Sequence, residues 1–362
     1  MDFGLSPDQK MLAESVRGHL ASRVPIDRIR QLREADCPND REIWQELASL
    51  GATGILVPEE RGGSDLSLLD AALVAEALGH SVTPAPFVSS AIMATLALRD
   101  EAAEGSAGWL EAIAAGRLVI GVAMTELFSI REQAGVDLEG GRLSGKVMMA
   151  LDAHGADLVL VPVDRDCFAV IRCDAPGVSI ERLATIDPTR CTSEIRFEST
   201  LPEAIRPDAG GVLASVMDAG RIALAADTIG ACSAMIEQAV AYAGERRQFG
   251  RVIGSFQSVK HMCAEMIADL EPARSLLWHA AHAFDHQPEE APLLASHLLA
   301  HVSEIGREIA SVATQVHGGT GWTDEQNLHF WFKRIGVARH LLGGPEFLRA
   351  RAATLQEIDG NA

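Results

Sequence analysis

Residues Glu245-Arg246-Arg247-Gln248-Phe249-Gly250, then Phe256-Gln257-Ser258-Val259-Lys260-His261, put an arginine, an aromatic ring and a glycine where one helix ends and another opens. A turn with exposed amides, an arginine and a flat ring suits a phosphate-bearing ligand that also carries an aromatic system. On residue chemistry alone it serves any large anion, and plainer roles stand beside that one. Arg246 can partner the helix dipole, Phe249 can be core, and Asp218 with Arg221 can be an i,i+3 surface pair. The i,i+4 pairs His282/His286 and His297/His301 could ligate a metal, but no HExxH accompanies them, so no metal is expected and they read as helix-surface or subunit contacts. Gly318-Gly319-Thr320-Gly321 follows no strand and precedes no Lys-Ser/Thr, which excludes a Walker or Rossmann loop. Trp278, Trp322 and Trp331 read as packing residues.

Three kinds of element must position these groups. Residues 1–118 read as an α-helical domain, opened by a Ser6 N-cap with Pro7 at the first helical position and including a helix from Leu66 to Leu78. Residues 119–205 hold short β-rich runs such as Val119–Met124, Arg142–Met149, Leu158–Val163 and Ser193–Phe197, without helices between them. They predict a small antiparallel barrel or sandwich. In residues 211–362 the helical period returns, predicting a four-helix bundle whose last member runs through about Gln356.

The chain has 362 residues, 48% of them hydrophobic, enough for more than one core. A net charge of −19 argues against a nucleic-acid partner. The 6 cysteines show no paired spacing and read as reduced, mostly buried thiols. With no secretory signal and no membrane-length apolar run, a soluble cytoplasmic protein is expected.

The segment Arg246–Met266 resembles the flavin-contacting signature of acyl-CoA dehydrogenases. Gly54-Ile55-Leu56-Val57-Pro58-Glu59-Glu60-Arg61-Gly62-Gly63 is similar to that family's "VPEEYGG" turn, and Gln315-Val316-His317-Gly318-Gly319-Thr320-Gly321-Trp322 to its "Q-x-H-G-G-x-G-F/Y". The order helices, β unit, bundle also resembles the family's fold over nearly the whole chain. The resemblance implies FAD as cofactor, an acyl-CoA thioester as substrate, and oxidation of its Cα–Cβ bond, with a carboxylate removing the α-proton and the β-hydride passing to the flavin. It implies that Arg246 meets the FAD pyrophosphate, Phe249 packs on the flavin nucleotide, and Gln315 and Gly319 meet the adenosine half, all lent to a neighbouring subunit. It places Asp218 and Arg221 near the thioester, and implies an electron-transfer flavoprotein or similar acceptor.

The chain departs from the family where the base belongs. One base position falls on Leu342, in His340-Leu341-Leu342-Gly343-Gly344; the other falls on Gly220, before Arg221. Neither accepts a proton. The family's "T-E-P-x-x-G-S-D" reads Thr125-Glu126-Leu127-Phe128-Ser129-Ile130-Arg131, and its "K-x-W-I-S/T" reads Lys146-Val147-Met148-Met149-Ala150. Contacts to the chain's own flavin are eroded while contacts lent to a neighbour survive. The resemblance is to the base-lacking subunit of α2β2 enzymes acting on bulky CoA thioesters, including those of steroid side-chain breakdown. Three alternatives stay open: a homotetramer with the base relocated to Glu126, Asp152 or Glu346, a flavin-dependent monooxygenase of the same fold, and a scaffold without cofactor.

Overall fold

The computed structural model describes residues 4–35, 40–99, 106–129, 134–163, 167–207 and 211–358. Cys37, Ile130 and Arg131 lie outside the described residues. Among the described residues no helix is long and apolar enough to cross a membrane.

The helical first part contains α1 (Pro7–Arg23), α2 (Ile26–Glu34), α3 (Arg41–Ser49), α4 (Leu68–His80), a π-helical stretch at Phe87–Ala94, α5 (Thr95–Leu98) and α6 (Ser106–Ala114). Ser6 caps α1 in a reciprocal box with Gln9, as its position before Pro7 suggests, and Ser67 does the same for α4 with Asp70. The second box fixes the true start of α4 two residues after the expected Leu66.

The middle part is one 8-stranded sheet of β1 (Ile120–Val122), β2 (Gly135–Glu139), β3 (Arg142–Leu151), β4 (Leu158–Pro162), β5 (Cys167–Arg172), β6 (Val178–Arg182), β7 (Thr192–Thr200) and β8 (Ala204–Pro207), in the order β6-β7-β3-β1-β4-β5-β8 with β2 also on β3. The expected all-antiparallel sheet needs correction: β1 pairs parallel with β4, Ile120 opposite Leu158 and Val122 opposite Leu160. The β2–β3 hairpin is itself the connection between them, so the chain re-enters the sheet in its first direction. Leu158, Leu160, Phe168 and Val170 join the main core, while Val159, Val161, Ala169 and Ile171 fill a second core with Val147, Ile195 and Phe197. Burial on both faces explains the unbroken apolar run of β4.

The last part holds α7 (Val212–Glu245), α8 (Gln257–His286) and α9 (Ala291–His317), with a hairpin of β9 (Arg247–Gln248) and β10 (Arg251–Val252) between α7 and α8. The expected fourth helix is two: α10 (Leu328–Ala338) and α11 (Pro345–Leu355). The break has a local cause. Leu342 takes φ 54° and Gly343 φ 106°, outside helical space, and Pro345 then starts α11.

Two contacts hold these parts together. α4 crosses α7 backbone to backbone: a Cβ on Gly79 would stand 1.9 Å from the Asp227 carbonyl oxygen, and one on Gly230 1.9 Å from that of Glu76. Only glycine fits at either place. Beside that crossing, Arg334 of α10 grips Asp227 of α7 in a buried fork (Nη2–Oδ2 2.6 Å, Nε–Oδ1 2.9 Å), and Arg190 reaches the same carboxylate at 2.5 Å. Arg334 also donates to the Thr189 hydroxyl and the Thr83 carbonyl, so one guanidinium touches the first part, the segment before β7, and the bundle.

Candidate functional site

Helix α7 ends because Arg246 turns extended (φ −64°, ψ 125°), its N–H still bonded to the Tyr242 carbonyl. The hairpin that follows turns on Phe249 (φ 53°) and Gly250 (φ 79°), both left-handed as a two-residue hairpin loop requires. A left-handed phenylalanine is uncommon. Here it throws the ring into solvent: Phe249 is 92% exposed, edge-on to Phe256 with ring centroids 6.1 Å apart, and Arg251 lies 4.0 Å over the Phe256 ring. The reading of Phe249 as core is therefore corrected. Arg246 is exposed, and its guanidinium has no hydrogen-bond or ion-pair partner among the described residues.

The end of α9 joins this surface. Tyr242 stacks on His317 with ring centroids 4.6 Å apart, and the Thr320 hydroxyl lies 3.4 Å from that of Tyr242. Gln315 and Gly319 are exposed alongside. A guanidinium without a partner among the described residues, an exposed ring and an exposed glycine loop thus share one end of the bundle.

The two expected base positions converge. A Cβ on Gly220 would meet Leu342 Cδ1 at 2.7 Å and Met93 Sδ at 2.7 Å. The point where either position would present a carboxylate is filled by a leucine methyl and a methionine sulfur. Beside it lies a cavity of about 100 Å³, walled by Val122, Met124, Phe128, Met149 and Leu342, in which His340 is the only titratable residue among the described ones. The aliphatic Met149 sits at φ 54°, where the β3–β7 register slips between Val147 and Ala150. A wider cavity, about 710 Å³, lies elsewhere, between Trp109 of α6 and the Asp157–Arg172 edge of β4 and β5. No expected site residue lines it.

Asp218 and Arg221 are not a surface pair. They are 2% and 3% exposed, and Arg221 Nη1 donates to Asp218 Oδ1 at 2.7 Å. Arg351 of α11 donates to both Asp218 oxygens, at 2.8 and 2.9 Å. Burial, then the like charge of Arg351 against the pull of Asp218, moves the Arg221 guanidinium below its ordinary pKa.

The relocated-base candidates are engaged elsewhere. Glu126 Oε1 accepts the Met148 N–H at 2.9 Å, and Glu346 is exposed beside Arg339 at 3.7 Å. Asp152 accepts from the Ser89 hydroxyl at 2.6 Å, and burial of its carboxylate raises its pKa to about 6 despite the Ser89 bond and the charges of Arg190 and Arg334. None of the three lines the cavity at Leu342. Burial also raises the thiols of Cys173 and Cys232 to about 12 and Cys191 to about 11, so they stay protonated at neutral pH. His282 and His286 stack at 4.2 Å, and no group of three or more metal-capable side chains occurs among the described residues. Trp322, expected to pack, is 74% exposed.

Residues 6–117 match the acyl-CoA dehydrogenase N-terminal domain and residues 210–354 the acyl-CoA dehydrogenase C-terminal domain. Acyl-CoA dehydrogenase IpdE2 of Mycobacterium tuberculosis (strain ATCC 25618 / H37Rv) is 31% identical over 344 residues, 94% of this chain and 95% of IpdE2. This chain belongs to the acyl-CoA dehydrogenase family. Among solved structures, the Tcur3481-Tcur3483 steroid ACAD G363A variant superposes with a TM-score of 0.88 at 25% identity, covering 98% of this chain and 99% of that one. The ChsE4-ChsE5 complex from Mycobacterium tuberculosis shares the fold with a TM-score of 0.90 at 24% identity, covering 100% of both chains.

Within this acyl-CoA dehydrogenase fold, Met93, His340 and Arg351 were not singled out by sequence reasoning. Arg351 lies 133 residues from the carboxylate it holds, a separation no local pattern encodes. Met93 sits in an apolar run and carries no chemical signal of its own. His340 stands two places before Leu342, and that adjacency was the available clue.

Proposed function

We propose that this chain is the base-lacking subunit of a heteromeric cytoplasmic acyl-CoA dehydrogenase. It lends Arg246, Phe249, Gln315 and Gly319 to FAD held in the cleft of a paralogous subunit. One observation carries the reading: both base positions meet at a point filled by a leucine methyl and a methionine thioether, while the arginine-and-ring surface is exposed and Arg246 has no partner among the described residues. The two halves of the molecule fit FAD differently. An exposed guanidinium without a partner among the described residues and an exposed ring suit a pyrophosphate joined to aromatic systems. The cavity at Leu342, about 100 Å³ and lined mostly by apolar side chains, falls below the roughly 300 Å³ at which small-molecule pockets begin.

FAD bound in the paralogue's cleft supplies the hydride acceptor for Cα–Cβ oxidation of the thioester. Arg246 neutralises pyrophosphate charge from across the subunit boundary, and the Phe249 ring covers part of the nucleotide from water. The glycines of the Gly318–Gly321 loop allow its backbone close approach. The paralogue supplies the carboxylate that takes the α-proton. The substrate class is a bulky acyl-CoA, in keeping with the steroid enzyme among the similar structures, and electrons leave to an electron-transfer flavoprotein or similar acceptor.

The test is flavin stoichiometry. The chain purified alone carries no FAD, and the mixed tetramer carries FAD at half its clefts and turns over. Full flavin loading and turnover by the isolated chain contradict the reading.

A further inference from the structure

The Asp218 carboxylate is saturated by arginine from two directions, and the relay ends on the backbone of Leu342. Arg351 lays a fork on it, and its Nη1 also meets the Ser296 hydroxyl oxygen at 2.6 Å and the Pro292 carbonyl at 2.9 Å, which ties α11 to the start of α9. With both oxygens fixed, Asp218 holds Arg221 Nη1 at 2.7 Å. That contact turns Arg221 Nε onto the Leu342 carbonyl at 3.0 Å. Leu342 in turn occupies a left-handed backbone conformation that a side chain with a Cβ rarely adopts, at φ 54°. The next residue, Gly343 at φ 106°, has no room for a Cβ, which would stand 2.8 Å from Phe347 Cδ1. This backbone conformation seats Leu342 Cδ1 against Gly220 and Met93.

We infer that Arg351 is a positioning residue: its fork on Asp218 directs Arg221 to the Leu342 carbonyl, which holds the Leu342 side chain over Gly220 and closes this chain's own thioester cleft to acyl-CoA. The inference rests on the proposed function in taking that cleft as the thioester site. It goes further in giving Asp218 and Arg221 a closing role in place of a substrate-binding one. Closure is then built by ion pairs within α7 and between α7 and α11, braced by hydrogen bonds to α9, and loss of a base would not by itself produce it.

Two measurements on the full chain test it. Hydrogen exchange is followed over residues 340–345 in wild type, Arg351→Gln and Arg351→Lys, with the β4 residues 158–162 as a folding control. Losing a charge-assisted bond at one end of the relay speeds exchange in 340–345 by about tenfold or more while β4 is unchanged, and lysine restores much of the protection. Equal exchange in wild type and Arg351→Gln, with β4 intact, overturns the inference. Equilibrium dialysis with octanoyl-CoA supplies the second readout and uses Leu342→Gly, which keeps the arginine relay and removes the plug. The wild-type chain takes up none, and Leu342→Gly takes up the thioester. Uptake by wild type, or none by folded Leu342→Gly, refutes the closing role. FAD counted in the same samples keeps the two ideas apart, because flavin in every cleft of the isolated wild-type chain defeats the subunit reading whatever Arg351 does.

Discussion

Replacing Asp152 by asparagine should stabilise this chain at pH 7.5. The Asp152 carboxylate accepts from Ser89 at 2.6 Å, and its main-chain N–H donates to the Cys191 carbonyl at 2.9 Å. Burial makes its ionised form costly in the folded chain, raising the pKa from 3.8 to about 6. The sign follows from which state holds the proton more tightly. A raised carboxylate pKa means that the folded chain binds the proton better, so the penalty is full above about pH 6 and fades as the pH falls toward 4. A shift of about two units corresponds to roughly 3 kcal/mol. Asp152 is only partly buried as a whole residue, and Arg190 and Arg334 lie near it, so about 1–2 kcal/mol is the expected gain at neutral pH. The asparagine side chain keeps an acceptor for Ser89 and carries no charge. Thermal unfolding from pH 4 to pH 8 reads the effect: Asp152→Asn unfolds about 1–4 °C higher at pH 7.5, and the two curves converge near pH 4. A variant less stable than wild type at pH 7.5, or a difference that ignores pH, refutes the reasoning.

Gly220→Ala should destabilise the chain by about 1–3 kcal/mol, because the added methyl meets Leu342 and Met93 at 2.7 Å, and urea denaturation measures it. Arg334→Leu leaves the Asp227 carboxylate buried with Arg190 as its remaining arginine, and a loss of about 3–5 kcal/mol is expected in the same assay. His340→Asn should leave kcat of the mixed enzyme within about twofold, since the base comes from the paralogue; a fall of about 100-fold would assign the base to the cavity beside Leu342.

The long helices α7, α8 and α9 were legible because helical periodicity and the breaks at Arg246–Phe256 and Gly318–Trp322 are local signals. The division between α10 and α11 was not, since a left-handed Leu342 has no signature in residue type. The parallel β1–β4 pair escaped for a related reason: direction within a sheet is set by what lies between two strands, and local β patterns read alike either way. Arg246, Phe249, Gln315 and Gly319 stand at the surface, as the proposed lending requires. Asp218 and Arg221 carry a spacing that fits a helix surface equally well. The buried Asp218 is paired with Arg351, and only the folded chain brings that partner to it.

The lent clamp is tested most directly by assembling the mixed enzyme with Arg246→Gln in this chain and titrating FAD by its visible absorbance. The account predicts FAD affinity weaker by about ten- to a hundredfold, the worth of a charge-assisted contact to the pyrophosphate, with the tetramer intact. Unchanged FAD affinity in that tetramer would contradict it.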